Sequence, residues 1–187
     1  MDRESGYTRK KQPELVRRAL LDEAAKLSVE QGLAAVTVQA VADAAGVTKG
    51  GFMHHFPSKQ ALIDAVFQDM LEAIDCDLDT RIAADSEAYG TFTRAYVESV
   101  FDAEKDVAAG PWAPLSISML TDAKLRALWA QWFDARVERH HETDNDLQLA
   151  ITRLAADGLW LADMGGIALP DRARLRERLI AATRRQK

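Results

Sequence analysis

The stretch Thr37-Val38-Gln39-Ala40-Val41-Ala42-Asp43-Ala44-Ala45-Gly46-Val47-Thr48-Lys49-Gly50-Gly51-Phe52-Met53-His54-His55-Phe56-Pro57-Ser58-Lys59 reads as two short helices around a tight turn. Val38, Val41 and Ala42 give the first helix an inward face, and Ala45-Gly46-Val47 supplies the bend. Phe52 and Phe56, at i and i+4, give the second helix its own inward face. Thr37 and Thr48 are placed as N-caps, their side-chain oxygens accepting from the exposed amides of each first turn. Held in this way, the second helix turns its remaining side chains outward, as a helix-turn-helix does toward a DNA groove. Those outward positions are Lys49, Gly50, Gly51, Met53, His54 and His55, behind a capped N-terminus whose amides suit a phosphate. A glycine pair in so short a helix costs stability, so its presence points to a surface that something must approach closely.

Outward from this motif, apolar residues keep helical spacing almost everywhere: Val16, Leu20, Ala24 and Leu27 before it, Leu62, Val66 and Met70 after it. No sustained two-residue alternation occurs, which predicts an all-α protein. The helices are expected over 14–31, 38–45, 49–55, 59–83, 87–105, 112–121, 124–141, 144–163 and 170–184. All of the five prolines fall where these patterns start or stop. Two domains follow: residues 1–60 as a three-helix DNA-binding domain and residues 61–187 as a larger helical domain.

With 24 Lys plus Arg against 29 Asp plus Glu, the chain of 187 residues carries a net charge of −5. Taken whole, that balance argues against a general polyanion binder. Divided after Gln60, it shows an asymmetry: residues 1–60 hold 9 Lys plus Arg and 7 Asp plus Glu, so the front of the chain is mildly basic. Arg9, Lys10 and Lys11 form a short basic run just ahead of the first predicted helix, either a solvated tail or an arm that touches a phosphate or minor groove. The longest stretch free of Asp, Glu, Lys and Arg runs from Val107 to Thr121 and contains Pro111 and Pro114, too short and too broken to span a bilayer. No secretory signal develops after Met1, so a cytoplasmic protein without membrane contact is the expectation. Cys76 is the single cysteine, which leaves no intrachain disulfide and no thiolate-rich metal site.

The segment Gly46-Val47-Thr48-Lys49-Gly50-Gly51-Phe52-Met53-His54-His55-Phe56-Pro57-Ser58-Lys59, preceded by Thr37-Val38-Gln39-Ala40-Val41-Ala42, resembles the TetR family of bacterial transcriptional regulators over about residues 14–70. The resemblance implies a dimer whose N-terminal domain reads an inverted-repeat operator in double-stranded DNA and whose C-terminal domain binds a small-molecule effector. Position by position, it implies that Thr37, Thr48, Lys49, His54, His55 and Lys59 touch phosphates or bases, with Gly50 and Gly51 facing the groove. Met53 departs from the family pattern, where a tyrosine usually stands. The hydroxyl-to-phosphate bond is lost there, leaving an apolar contact to a thymine methyl or simple packing.

All four tryptophans, Trp112, Trp129, Trp132 and Trp160, follow residue 110. With Phe101, Met119 and Phe133 they can pack as core or wall a cavity for an apolar or aromatic effector. Leu147, Ile151, Leu154, Gly158 and Leu161 keep three-and-four spacing, and Leu175 and Leu179 give the last helix a similar stripe. Paired with their symmetry mates, two such helices would form a four-helix homodimer interface; alternatively, both stripes face their own core. Arg172, Arg174, Arg176 and Arg178 are spread around their helix and read as solvated or paired. The His54-His55 and His140-His141 pairs do not make a metal or catalytic site, because adjacent residues diverge by about 100° on a helix. No nucleophile triad, phosphate-cradling glycine loop or dinucleotide signature is present, so no cofactor and no enzyme activity are expected. A DNA-binding repressor released by a small ligand is the leading expectation; a related protein with no ligand response is the alternative.

Overall fold

The computed structural model describes residues 4–107 and 113–185, and side chains over 13–102 and 115–185. Among the described residues the regular structure is helical: α1 (Glu4–Gln31), a one-turn 3-10 helix (Leu33–Ala35), α2 (Val38–Ala44), α3 (Lys49–His55), α4 (Lys59–Ala84), α5 (Thr91–Val107), α6 (Ala113–Thr121), α7 (Ala123–Arg139), α8 (His141–Asp144), α9 (Leu147–Met164) and α10 (Arg172–Ala182). No helix in this set is long and apolar enough to cross a membrane. The backbone forms two compact units: residues 1–70 with 110–126, and residues 71–109 with 127–187. The first therefore extends ten residues past the expected boundary and recruits α6 and the start of α7, while α4 and α7 contribute residues to both.

In the first unit, α1 buries Leu20, Leu21 and Ala24 and α2 buries Val41 and Ala42. Each fully buried Leu or Phe of this set is worth about 1.5–3 kcal/mol relative to exposure. Ser28 is buried beside them because its hydroxyl is spent locally, donating to Ala25 O at 2.6 Å. Polar groups fasten the α6–α7 corner: Lys124 Nζ donates to the buried Asp64 of α4, Gln60 donates to the same carboxylate at 2.9 Å, and Asp122 caps α7 by accepting from Lys124 N–H at 2.8 Å. The expected arm Arg9-Lys10-Lys11 lies within α1 rather than ahead of it, and the side chains of these three residues fall outside the described set. Lys, Arg and Gln are good helix formers, so helix 1 extends N-terminally past Pro13 without needing an apolar stripe there.

In the second unit, Leu78, Phe92, Ala95, Tyr96, Val97, Phe101, Ala156 and Leu159 form a buried core. Helix α5 begins at Thr91, four residues later than the apolar pattern suggests, because Gly90 at φ 70 turns the chain and brings it against α10. A Cβ built at Gly90 would meet Thr183 O at 2.3 Å, so only glycine fits. The buried Arg94 clamps the same corner, donating to Asp85 Oδ2 at 2.6 Å, Glu87 O at 2.8 Å and Thr183 O at 3.1 Å. The sequence pattern leaves 142–143 outside any helix and starts the next helix at Asp144, whereas α8 spans His141–Asp144 and α9 begins at Leu147. The two are separate because Asp144 ends α8 with its carboxylate aimed at α5, and Asp146 then caps α9.

Asp144 is 0% exposed. Its carboxylate accepts from Thr93 N–H at 2.8 Å, Thr93 Oγ1 at 2.6 Å, Phe92 N–H at 3.4 Å and Thr143 Oγ1 at 2.8 Å, which caps α5 from across the chain. Buried Arg153 of α9 completes the group, donating to Thr93 Oγ1 at 2.6 Å and Asp144 O at 3.3 Å. Nearby, Tyr96 donates to Asp157 Oδ1 at 2.5 Å, and burial pushes both the phenol and the carboxyl above their ordinary pKa values. Replacing Asp144 with Ala strands two amides and leaves Arg153 without its counter-charge. Urea unfolding followed by circular dichroism is expected to show Asp144→Ala destabilised by about 3 kcal/mol; a loss under about 1 kcal/mol would mean the carboxylate is dispensable to this core.

Candidate nucleic-acid interface

The recognition helix α3 is fixed at both ends by its own sequence. At its start, Thr48 Oγ1 accepts from Gly51 N–H at 3.1 Å; one helix earlier, Thr37 Oγ1 accepts from Ala40 N–H at the same distance. Between the helices, Gly46 at φ 67 makes the bend, and Val47 N–H returns to Ala42 O at 2.9 Å. At its end Phe56 N–H closes on Phe52 O at 2.9 Å, and the two rings, both buried, lie 6.0 Å apart. The inward face predicted for α3 is therefore the one observed.

The opposite face carries the predicted set. Thr37, Thr48, Lys49, Gly50, Met53 and His54 are exposed, while Gly51 and His55 are half-buried. Because each threonine oxygen accepts from an amide, its hydroxyl proton remains available to an acceptor such as a phosphate oxygen. Among the described residues no carboxylate pairs with Lys49, so its charge faces outward unspent. His54 and His55 pack edge to face at 5.2 Å in the last turn, splayed as neighbours on a helix must be. Met53 is 43% exposed, which favours an outward apolar contact over burial in the protein.

Two features refine the set. Lys59 is half-buried and donates through Nζ to Leu33 O at 3.3 Å, across the junction between the 3-10 turn and α4. A cation there satisfies the carbonyl end of the short helix, so Lys59 fastens the domain, and its phosphate contact stands as a proposal. The glycines go the other way. A Cβ at Gly50 would meet only Thr48 Oγ1, at 3.8 Å, and one at Gly51 would meet the same oxygen at 3.4 Å, both ordinary contacts. Neither glycine has positive φ. Nothing inside the protein requires a glycine at position 50.

Of the residues expected to wall an effector cavity, Trp129 and Phe133 stack at 6.4 Å. Phe101 is buried in the core of the second unit, and Phe133 packs there too, with its ring 5.6 Å from Tyr96 and 6.5 Å from Phe92. Both pack in the core of this unit, the alternative the sequence leaves open for them. Trp129 and Trp160 are half-buried, Met119 belongs to the first unit, and Trp112 lies outside the described residues. Trp129 and Trp132 stand side by side on α7 at 5.0 Å. Trp132 Nε1 donates to Asp75 Oδ1 at 2.7 Å, and the fully enclosed Arg136 binds the same oxygen at 2.5 Å and Asp79 Oδ1 at 2.5 Å. That guanidinium holds the Asp79 carboxyl below its usual range. Periodicity alone did not mark this polar seam between α4 and α7, since its members read as a solvated face.

The expected dimer stripes part company. On α9, Leu147, Ile151, Leu154 and Leu161 are 75%, 51%, 68% and 54% exposed, and open space surrounds Gly158. On α10, Leu175 and Leu179 are half-buried against the unit's own core, the alternative the sequence leaves open for these stripes. Arg172 and Arg176 are paired, with Asp163 at 2.7 Å and Asp102 at 3.5 Å, and both lie over the Phe101 ring.

The glycine geometry sets one expectation and the lysine geometry another. Gly50→Ala should raise the stability of the free protein by about 0.5 kcal/mol, through the unfolded state, while weakening binding to a DNA duplex at least several-fold; unchanged binding beside the raised melting temperature would remove the close approach. Lys49→Ala should reduce the log–log salt slope of DNA binding by about 0.9 per protomer. Lys59→Met should instead lower the melting temperature, with a smaller effect on slope. Fluorescence anisotropy over a salt series, run beside thermal unfolding, separates the two lysines, and equal slope losses would support the phosphate role of Lys59.

Two family models match the chain: bacterial regulatory proteins of the tetR family over residues 20–66, and the C-terminal domain of tetracyclin repressor-like proteins over residues 90–184. The HTH-type transcriptional repressor KstR2 of Rhodococcus jostii (strain RHA1) is 30% identical over 160 residues, covering 78% of this chain and 77% of that protein. The transposon Tn10 TetC protein of Escherichia coli is 31% identical over 91 residues, 48% of this chain and 46% of that protein. Among solved structures, a transcriptional regulator of Streptomyces coelicolor A3(2) superposes with a TM-score of 0.73 at 20% identity, over 90% of this chain and 98% of that one. The multidrug binding protein EbrR, complexed with malachite green, superposes at 0.69 with 18% identity and the same coverage. Repressor relatives, matching models at both ends and the helix-turn-helix geometry agree: the chain belongs to the tetR family of bacterial regulatory proteins, as a DNA-binding transcriptional regulator and not an enzyme.

Proposed function

We propose that this regulator is a homodimeric repressor that binds an inverted-repeat operator and is released by a small apolar or aromatic ligand. The observation that carries the dimer is the α9 face. Four large aliphatic side chains between Leu147 and Leu161 stand in solvent on one side of a helix, over about 21 Å of its axis. Isolated exposed leucines are ordinary, but a continuous stripe marks an interaction surface. Gly158 within it lets a second helix approach closely. A two-fold axis through this face makes the contact self-complementary, and it repeats α3 at a fixed separation, so half-sites should be spaced about one DNA turn or a small multiple apart. With the α10 stripe turned inward, α9 is the helix that carries the pairing.

The effector reading is supported by the half-buried Trp129 and Trp160 and by a relative in fold, EbrR, complexed with malachite green. Ligand release is a population shift, in which the ligand favours a state whose two recognition helices no longer match the operator. Helix α4 suits the role of transmitter. It begins three residues after Phe56, which closes α3, and its later residues Asp75 and Asp79 hold Trp132 and Arg136 of α7. An aromatic ligand that reorients Trp132 acts on α4 through those bonds.

Sedimentation of the purified protein at micromolar concentration is expected to give a dimer. Leu154→Glu should give a folded monomer with at least tenfold weaker binding to an operator chosen by in vitro selection. A monomeric wild type, or a selected site with no repeat, would refute the dimer. Quenching of tryptophan fluorescence by planar aromatic compounds, coincident with operator release and lost in Trp129→Ala, tests the effector; quenching without release would favour a regulator that answers to no small molecule.

A further inference from the structure

Neighbouring arginines on α1 have opposite fates. Arg18 is spent: its guanidinium binds Asp22 Oδ1 at 2.6 Å and Asp69 Oδ1 at 2.7 Å, which raises its pKa further. Arg17 is exposed, and among the described residues no carboxylate pairs with it. Its guanidinium carbon instead lies 5.1 Å from the centre of the Phe56 ring. Phe56 is the residue that closes α3, so the cation is tied to the end of the recognition helix by a ring that is itself 3% exposed. A guanidinium held over a ring makes no hydrogen bond to it, so its N–H groups remain available to a phosphate.

We propose that Arg17 is a DNA-backbone contact, flanking the C-terminal end of α3 as Lys49 flanks its N-terminal end; the assignment rests on the DNA-binding reading of α3. The seven residues of α3 span about 10 Å, so the two cations bracket the helix. Each has its charge unspent in the free protein, whereas Arg18 and Lys59, equally basic in the sequence, are engaged by Asp22, Asp69 and Leu33. Phe56 sets the position and the guanidinium supplies the charge. A lysine in the same place would keep the charge and lose both the stacking and the bidentate fork.

The test is a salt titration of DNA affinity with the full chain, comparing wild type, Arg17→Met, Arg17→Lys, Arg18→Met and Lys49→Ala on one duplex. Arg17→Met keeps apolar cover over Phe56 and should lose about 0.9 of log–log slope per protomer, with the melting temperature unchanged. Arg17→Lys should keep the slope and lose several-fold in affinity. Arg18→Met should keep the slope while melting lower. A wild-type slope in Arg17→Met beside a reduced slope in Lys49→Ala would overturn the Arg17 assignment alone, leaving it as a cover for Phe56. Wild-type slopes in both would overturn the DNA-facing reading of α3, and Arg17 with it.

Discussion

Helix α3 could not exist by itself. Seven residues with two glycines fall well short of the length at which an isolated helix survives in water, and helix nucleation adds a further penalty. Everything that reads DNA is therefore borrowed from its surroundings: the Phe52 and Phe56 rings in the core, Thr48 at the first turn, and the αL bend at Gly46 that sets α3 against α2. The two rings act in opposition to the two glycines. Burial on one face compensates for a face left bare of side chains, and that bareness is what allows backbone to come close to a partner. A stiffer α3 would be easier to fold and worse placed to bind.

The second unit solves a different problem with buried charge. Arg94, Arg136 and Arg153 are each at most 6% exposed, and each is surrounded by carboxylates, carbonyls or hydroxyls rather than by a single counter-ion. Pairs of this kind seldom add net stability over an apolar substitute, because desolvation offsets the attraction. Their effect here is directional. Arg94 ties the loop before α5 to the end of α10, Arg136 ties α7 to α4, and Arg153 with Asp144 sets α9 and the start of α5 in one register. Apolar packing alone would tolerate sliding between these helices; fixed donors and acceptors do not. The same register decides which face of α9 is left outside.

How legible each part was in the sequence follows from the range of the forces involved. The helix-turn-helix is local: caps, bend and inward rings lie within two dozen residues, so spacing alone located Thr37, Thr48, Phe52 and Phe56, and the outward set followed. The α9 stripe was legible as periodicity, but nothing in the periodicity of α10 distinguished Leu175 and Leu179 from it. Which stripe faces inward depends on the packing of α10 against α5 and α9, and α5 is remote from it in sequence. Lys59 and Arg17 show the same limit from the polar side. Both are basic residues beside the motif, and only the position of Leu33 O and of the Phe56 ring shows that one charge is engaged and the other is not. Phe101 and Phe133 looked like cavity aromatics because composition counts rings without recording what fills the space between them.

The net charge of −5 takes on a different meaning once the partners of the cations are known. Much of the positive charge never reaches the surface as a field: Arg18, Arg81, Arg94, Arg136 and Arg184 all face carboxylates within 3 Å. A cation already held against a carboxylate adds little to counterion release on DNA. On the proposed reading, specific binding draws on close approach at Gly50, base-edge contacts from α3 and their doubling by a two-fold axis. Weak nonspecific attraction is an advantage for a repressor, since occupancy in a cell depends on the ratio of specific to nonspecific affinity and not on the specific constant alone. It also makes such a regulator sensitive to its effector. If each half-site binds weakly, a ligand need only spoil the spacing between the two recognition helices to remove most of the affinity, because a single half-site cannot hold the protein on the DNA.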